Sequence, residues 1–286
     1  MLHLILLLMN LAPAQMLLDA QAQDAGVAAI AYRLQTAGVG LCREVAPQSG
    51  VLLHDLTQYP ASQRATAKSA FGLEERPVVL SVVGGSAGEK AGLRAGDHIV
   101  DIDDRVPASA PDAGEALARA MATPPATLRI ERGGERISLR LAGAAGCASI
   151  VQVIPGTKPN ATADGTYVQI TAAVIAEARD DGELASIIAH EMAHNILQHR
   201  VWLDKRGRTV RNIRATEIEA DRLSVYLVAR AGYNAYAPAQ FWEHFGAKTG
   251  LGILSDGTHL RTKARVSLLK GVATDVVAGK EFTPAQ

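Results

Sequence analysis

Hydrophobic and polar positions follow a helical period at the start of the chain and a strand period further on. Apolar residues recur at Val27, Ile30 and Leu34, which is the spacing of an amphipathic helix. In the middle of the chain the segment PVVLSVV is rich in β-branched residues and predicts a strand. The pattern therefore predicts an initial helix followed by a β-rich module.

The β-rich module has a distinct order of elements and one distinctive motif. After its first strand come a glycine-rich turn with a short helix, a second strand, a helix, and a hairpin that turns at Gly133 and Gly134. The motif AGLRAGD, from Ala91 to Asp97, is similar to that of PDZ modules in exported bacterial proteases. The order of elements and this motif together carry the resemblance.

The resemblance implies a place where a peptide C-terminus binds. In PDZ domains a short loop before the first strand receives a carboxylate on its backbone N–H groups, and a ligand strand adds beside it. Phe71, Gly72 and Leu73 stand where that loop is expected. A β-rich spacer without a ligand is the alternative.

The remainder of the chain is mostly helical. Two short strand segments, SIVQVIPG and TYVQIT, precede a long helix from Asp181 to Gln198. A basic connector, Lys205 to Arg214, leads to a helix capped by Thr216, and a final helix covers about Thr262 to Ala278. These elements predict an α+β fold: a mostly helical domain with a small sheet, interrupted by the β-rich module.

The expected boundaries follow from these changes of pattern. Residues 1–22 are expected to be a signal peptide, with an apolar run and an A-x-A motif at Ala20–Ala22 but no Lys or Arg near the start. Residues 23–65 form the N-terminal helical part of the main domain, residues 66–145 the PDZ domain and residues 146–286 the catalytic part. The expected location is the periplasm, with no stable membrane insertion after the leader is removed; a retained anchor is the alternative.

The composition of the chain bears on which binding partners are expected. The 286 residues contain 29 basic and 29 acidic side chains, so the formal net charge is zero. A neutral chain has no overall attraction for nucleic acid or for an anionic membrane. No nucleic-acid partner is therefore expected.

The candidate chemistry lies in the long helix, where His190, Glu191 and His194 form an H-E-x-x-H motif. Residues four apart lie on one helix face, so both imidazoles project toward one point. Glu191 lies on the adjoining face, where it would reach a water bound to a metal ion. Two ligands and a general base from one helical turn are typical of zinc hydrolases.

A catalytic zinc needs a third protein ligand. On a continuous helix His199 faces away from His194, so it is expected to be a surface or helix-end residue. Glu217 opens the next amphipathic helix and is the better candidate, with Glu219 the weaker choice. Asp221, one turn after Glu217, is expected to accept a hydrogen bond from a ligand histidine.

H-E-x-x-H followed by E-x-x-A-D resembles the gluzincin peptidases of the HtpX and CAAX-prenyl-protease superfamily, especially the periplasmic BepA-like and mitochondrial Oma-like branches. The resemblance implies a zinc-dependent endopeptidase, with one Zn²⁺ per chain, acting on polypeptides. The family's strand beside the active site is similar to PNATADGTYVQIT, which makes Asn160 and Gly165 candidate substrate-binding residues. Asp164 stands where the family usually has a second glycine.

The same resemblance draws attention to His259 and Arg265. The family has a T-H-P stretch with an arginine six residues beyond the histidine, and here Leu260 replaces the proline. Arg265 is expected to stabilise the negative charge that develops on the scissile carbonyl oxygen. His259 is expected either to share that role or to bind zinc as a latch. A surface histidine and arginine are the alternative.

Cys42 and Cys147 are the chain's two cysteines and flank the PDZ module. A disulfide between them is expected in an exported protein, whereas two buried thiols are expected in a cytosolic one.

The expected activity is cleavage of unfolded or misassembled envelope polypeptides. The alternative is a protease-like chaperone or PDZ scaffold for envelope assembly with little proteolysis.

Overall fold

The computed structural model describes residues 2–249 and 260–284. The strands are β1 (Val45–Gln48), β2 (Val51–His54), β3 (Val78–Val82), β4 (His98–Ile102), β5 (Ala126–Arg132), β6 (Glu135–Leu141), β7 (Ala144–Cys147), β8 (Ile150–Ile154), β9 (Ala161–Ala163) and β10 (Tyr167–Thr171). The α-helices are α1 (Leu2–Ala37), α2 (Arg64–Phe71), α3 (Ala87–Lys90), α4 (Ala110–Met121), α5 (Ala172–Ile175), α6 (Asp181–Ile196), α7 (His199–Arg206), α8 (Val210–Arg230), α9 (Ala237–Thr249) and α10 (Thr262–Val277). None of the helices within this described part of the chain has the length and apolarity that a membrane span needs.

The chain divides into two compact units. Residues 1–32 and 46–145 form one, here called the sheet unit, and residues 33–45 and 146–286 form the other, here called the helical unit. The α+β fold class is confirmed. The sheet unit includes residues 23–32 and 46–65, which the sequence pattern assigned to the main domain. In the second of these segments β2 pairs with β3.

The sheet unit is built on a five-stranded antiparallel sheet in the order β2-β3-β4-β5-β6. Ser109 caps the start of helix α4, because its hydroxyl accepts from the Asp112 N–H. Helix α4 packs on β2, β4 and β5. The buried aliphatic residues of these elements form one core, which includes Val79, Ile99, Ile102, Leu117, Leu128, Ile130 and Leu141. The predicted hairpin is present, because Arg132 pairs with Glu135 across Gly133 and Gly134.

Helix α1 runs through the predicted cleavage motif. Leu17 packs against the buried residues Ala67, Leu73 and Val78. The Gln21 side chain donates to the carbonyl of Leu80 at 3.4 Å. Residues on the leader side of the motif therefore contribute to the packing of the sheet unit, and cleavage after Ala22 stays a prediction.

The helical unit places a small sheet beside packed helices. Strand β10 is parallel to β8 and antiparallel to β9, so the order is β8-β10-β9 and β9 is an edge strand. Helix α6 packs against β9, β10, α8 and α9. It is buried almost all round, from Glu183 to Ile196, as expected for a helix with apolar residues on every face.

Two element boundaries differ from the prediction. Helix α6 ends at Ile196, and Gln198 adopts a left-handed conformation with φ +54° before α7 begins at His199. Helix α8 begins at Val210, capped by the Thr209 hydroxyl, so Thr216 lies inside the helix. The segment predicted as a basic connector is therefore mostly helical.

The predicted disulfide is confirmed. Cys42 and Cys147 are bonded, with Cα atoms 5.6 Å apart and a sequence separation of 105. Both cysteines belong to the helical unit. Strands β1 and β7 form a two-stranded sheet.

Candidate metal centre

Three side chains from two helices converge at one point of the helical unit. His190 Nε2 lies 3.3 Å from His194 Nε2 and 3.3 Å from Glu217 Oε2. His194 Nε2 lies 3.5 Å from Glu217 Oε1. Helix α6 provides the two histidines at i and i+4, and α8, which packs against it, provides the carboxylate.

The spacing of these atoms suits a zinc ion. Zinc binds imidazole nitrogen and carboxylate oxygen at about 2.0–2.1 Å in tetrahedral geometry, so neighbouring ligand atoms lie about 3.3–3.4 Å apart. The three observed separations, between 3.3 and 3.5 Å, match that edge length. His190, His194 and Glu217 are also the His/Cys/Asp/Glu cluster with metal-binding spacing among the described residues.

The other nitrogen of His190 is held by a buried ion pair. His190 Nδ1 lies 2.9 Å from Asp221 Oδ1. Arg265 donates to both oxygens of Asp221, at 2.8 and 2.6 Å. The Arg265 guanidinium also lies 3.7 Å from the centre of the Trp242 ring. Asp221 therefore contacts a histidine of the H-E-x-x-H motif, and the role of that histidine as a metal ligand stays a prediction.

Buried charges set the protonation of this cluster. Burial alone would raise the pKa of Asp221, but the Arg265 charge and the hydrogen bond from His190 lower it below its ordinary value. Burial opposes a charge on His190, yet its hydrogen bonds to Asp221 and Glu217 raise the pKa of His190 to about 10. The cluster therefore favours a positive charge at this point, which a metal ion also provides.

His199 does not lie where the sequence predicted. It is 3% exposed, and its Nδ1 lies 3.1 Å from Nδ1 of His194. Its Nε2 lies 3.4 Å from Oε2 of Glu219. Burial and the nearby His194 lower the pKa of His199 to about 3, so the ring is neutral. The expectation of a surface histidine was wrong because it assumed a helix that continues past Gln198.

Arg265 also departs from its predicted role. It is 2% exposed, and it lies behind His190, where Asp221 and Trp242 hold it. It is absent from the described lining of the cleft. A guanidinium held in this way supports a ligand histidine and does not face a substrate. His259 lies outside the described residues.

The three converging side chains open onto a cleft of about 510 Å³. Glu191 lines this cleft together with His190, His194 and Glu217. Glu191 follows His190 on the same helix, lines the cleft and is 9% exposed. A general base for a metal-bound water needs this position.

Strand β9 forms a wall of the cleft. Residues 161–165 line it, which includes the predicted residue Gly165. The Gly165 N–H donates to the Asn195 side chain at 2.7 Å, and the glycine has φ +103°, a conformation that residues with a Cβ rarely adopt. Asn160 precedes β9, and its N–H donates to the Thr171 hydroxyl. Asn160 is not among the lining residues.

The residues predicted to bind a peptide in the sheet unit lie at the end of a helix. Phe71 is the last residue of α2, and Gly72 follows it with φ +64°. Leu73 is fully buried in a small core cluster with Ala67 and Val78. These residues therefore do not precede the first strand of the sheet, because β2 lies earlier in the chain.

Comparison with known proteins finds two families along the chain, and their matches overlap at residues 126–142. The family described as PDZ domain matches residues 50–142, and peptidase family M48 matches residues 126–212. One region of the chain is therefore similar to PDZ domains and another to peptidase family M48. The M48 match contains the H-E-x-x-H motif, whereas Glu217 and Asp221 lie beyond its end. The PDZ match starts before the boundary predicted at residue 66.

A solved structure of a PDZ domain is similar to part of this chain. It is the HtrA3 PDZ domain bound to a phage-derived ligand, FGRWV. The identity is 18%, the alignment covers 36% of this chain and 88% of that one, and the TM-score is 0.29. No curated protein matches the chain. The match of its second region to peptidase family M48 implies a metallopeptidase with a PDZ domain.

Proposed function

We propose that this protein is a zinc-dependent endopeptidase that cleaves unfolded or misassembled polypeptides of the cell envelope. The observation that carries the proposal is the triangle of His190 Nε2, His194 Nε2 and a Glu217 carboxylate, with sides of 3.3 to 3.5 Å. This triangle opens onto a cleft that Glu191 also lines. The ligand set and the base are those that peptide hydrolysis needs.

His190, His194 and Glu217 would hold the metal, which when bound polarises a carbonyl and acidifies a water. Glu191 takes a proton from the attacking water on its carboxylate and delivers it to the amine nitrogen of the departing product. Asp221 and Arg265 keep His190 in place during these proton transfers. The cleft wall formed by β9 orients the substrate.

The proposed substrates are extended chains, since β9 is a short edge strand beside the metal site. An edge strand binds a polypeptide through backbone hydrogen bonds, so it selects an extended conformation and not a particular sequence. The PDZ domain supports peptide or polypeptide partners, and we propose that it binds their C-termini. Both features favour unfolded proteins as substrates.

We further propose that the protein works in an oxidising compartment, which for an exported bacterial protein is the periplasm. The Cys42–Cys147 disulfide supports this location, since disulfides persist in secreted and periplasmic proteins and are rare in the cytosol.

Metal removal tests the proposed activity. The purified protein is treated with a chelator and assayed on unfolded casein, on a folded protein of similar size, and again after one equivalent of Zn²⁺ is added. We expect cleavage of the unfolded substrate only, its loss on chelation and its recovery with zinc. Peptide binding that persists in a protein inert under all conditions would instead support the chaperone or scaffold function.

A further inference from the structure

The left-handed turn at Gln198 gives His199 a position that a continuous helix would not. On an uninterrupted helix, residues five apart lie about 140° apart around the axis. Because α6 ends at Ile196 and α7 starts afresh at His199, the His199 ring returns to the ring of His194. The two ring centroids lie 4.9 Å apart, with the planes at 79°.

The hydrogen bonds of His199 permit one arrangement of protons when a metal occupies the site. A metal at Nε2 of His194 uses the lone pair there, so His194 carries its proton on Nδ1. That proton is donated to Nδ1 of His199, 3.1 Å away. His199 then holds its own proton on Nε2 and donates it to Glu219 Oε2, 3.4 Å away.

We propose that His199 and Glu219 are positioning residues that fix the tautomer and orientation of the metal ligand His194. The inference rests on the proposed function, since it takes His194 to be a metal ligand. It gives each histidine of the H-E-x-x-H motif its own support. His190 is held by Asp221 and Arg265, and His194 is held by His199 and Glu219.

The arrangement has a physical reason. Metal-bound histidines usually donate their second ring N–H to an acceptor, which orients the ring and raises its basicity, and loss of that acceptor costs about 10–100-fold in metal affinity or activity. His199 is 3% exposed, so water does not replace it readily as the acceptor for His194.

Two substitutions at His199 distinguish the effect of its hydrogen-bond acceptor from the effect of its ring volume. His199→Asn keeps an oxygen near the position of Nδ1, whereas His199→Phe keeps the ring and removes the acceptor. Zinc affinity is measured by competition with a chelator, and the visible spectrum is recorded for the Co²⁺-loaded protein, because its band shape reports ligand geometry. We expect His199→Phe to bind zinc about 10–100-fold more weakly with an altered cobalt spectrum, and His199→Asn to remain near wild type.

Glu219→Met tests the second link and serves if His199→Phe does not fold. It is expected to weaken zinc binding in the same direction and to alter the cobalt spectrum. Glu243, an exposed residue paired with Lys270, provides the control variant Glu243→Met, which should match wild type. Zinc affinity and cobalt spectra unchanged in His199→Phe, or in Glu219→Met where that variant alone folds, would overturn the inference. Failure of the wild-type protein to bind zinc would instead overturn the proposed function.

Discussion

At the scale of residues, the two histidines of the metal centre differ in what holds them. His190 meets a carboxylate directly, and that carboxylate is neutralised by a buried arginine. His194 contacts the neutral ring of His199, and His199 in turn contacts Glu219. A buried carboxylate next to a metal site needs a compensating cation, which explains why Arg265 is buried beside Asp221.

Glu217 is the residue whose assignment as a metal ligand matters most, since it comes from a different helix. We expect Glu217→Ala to lose the bound zinc and the proteolytic activity together, because two histidines alone leave an incomplete ligand set. Metal analysis and a cleavage assay check this, with Glu243→Ala as the control. Full zinc content in Glu217→Ala would remove Glu217 from the ligand set.

Arg265 provides a second test at this scale. Arg265→Met leaves Asp221 charged and buried without its cation, which we expect to lower the free energy of unfolding by about 3–5 kcal/mol and to weaken zinc binding through His190. Urea unfolding and zinc competition measure both effects. Arg140, an exposed residue of the sheet unit, gives the control variant Arg140→Met. A variant with wild-type stability and zinc affinity but slower turnover would instead place Arg265 on the substrate side.

At the scale of elements, hydrophobic periodicity predicts those helices and strands that form because their apolar side chains pack together. Helix α6, the hairpin at Gly133 and Gly134, and the strand β10 were all predicted. The left-handed Gln198 was not, because a non-glycine residue with φ +54° has no sequence signal of its own. That single turn moved His199 from an expected surface position to a contact with His194.

The role of β9 is also a property of an element. The backbone N–H of Asp164 donates to the Tyr167 carbonyl, and that of Thr171 donates to the Asn160 carbonyl. Because hydrogen-bonded and non-hydrogen-bonded pairs alternate in an antiparallel ladder, the backbone groups of Ala161 and Ala163 point away from β10. Their N–H groups therefore lie on the free edge beside the cleft.

Proline at Ala163 tests whether substrates pair with that edge. Ala163→Pro removes one outward N–H and leaves the ladder to β10 intact, so we expect normal zinc content and thermal stability. The kcat/KM for unfolded casein should fall about 2–10-fold, as expected for one lost hydrogen bond. Thr162→Pro, which removes an N–H of the ladder itself, should instead destabilise the protein. An Ala163→Pro enzyme as active as wild type would show that substrates do not pair with β9.

At the scale of the whole molecule, the chain leaves the helical unit, builds the sheet unit and returns beside Cys42. Sequence patterns located the two cysteines on either side of the insertion, and the disulfide follows from that placement. The start of the sheet unit was predicted too late, because β2 is short and its partner β3 is distant in sequence.

The disulfide should stabilise the helical unit in particular. A cross-link closing a loop of this length contributes about 4–5 kcal/mol in the chain-entropy model, and both cysteines lie in that unit. We expect Cys42→Ser/Cys147→Ser to lower its free energy of unfolding by up to this amount. Fluorescence of Trp202 and Trp242 follows the helical unit, and hydrogen exchange of β3 to β6 follows the sheet unit. An equal loss of stability in both units would contradict this localised effect.

The catalytic role of Glu191 is the central claim, and the most direct measurement compares wild type with Glu191→Gln when each holds one zinc. The substitution keeps the size of the side chain and removes its ability to accept a proton from water, and it leaves His190, His194 and Glu217 in place. We predict that both proteins bind zinc with similar affinity and that the variant cleaves unfolded casein at least about 100-fold more slowly. Equal cleavage by the zinc-loaded variant, or no cleavage by the zinc-loaded wild type, would contradict the account.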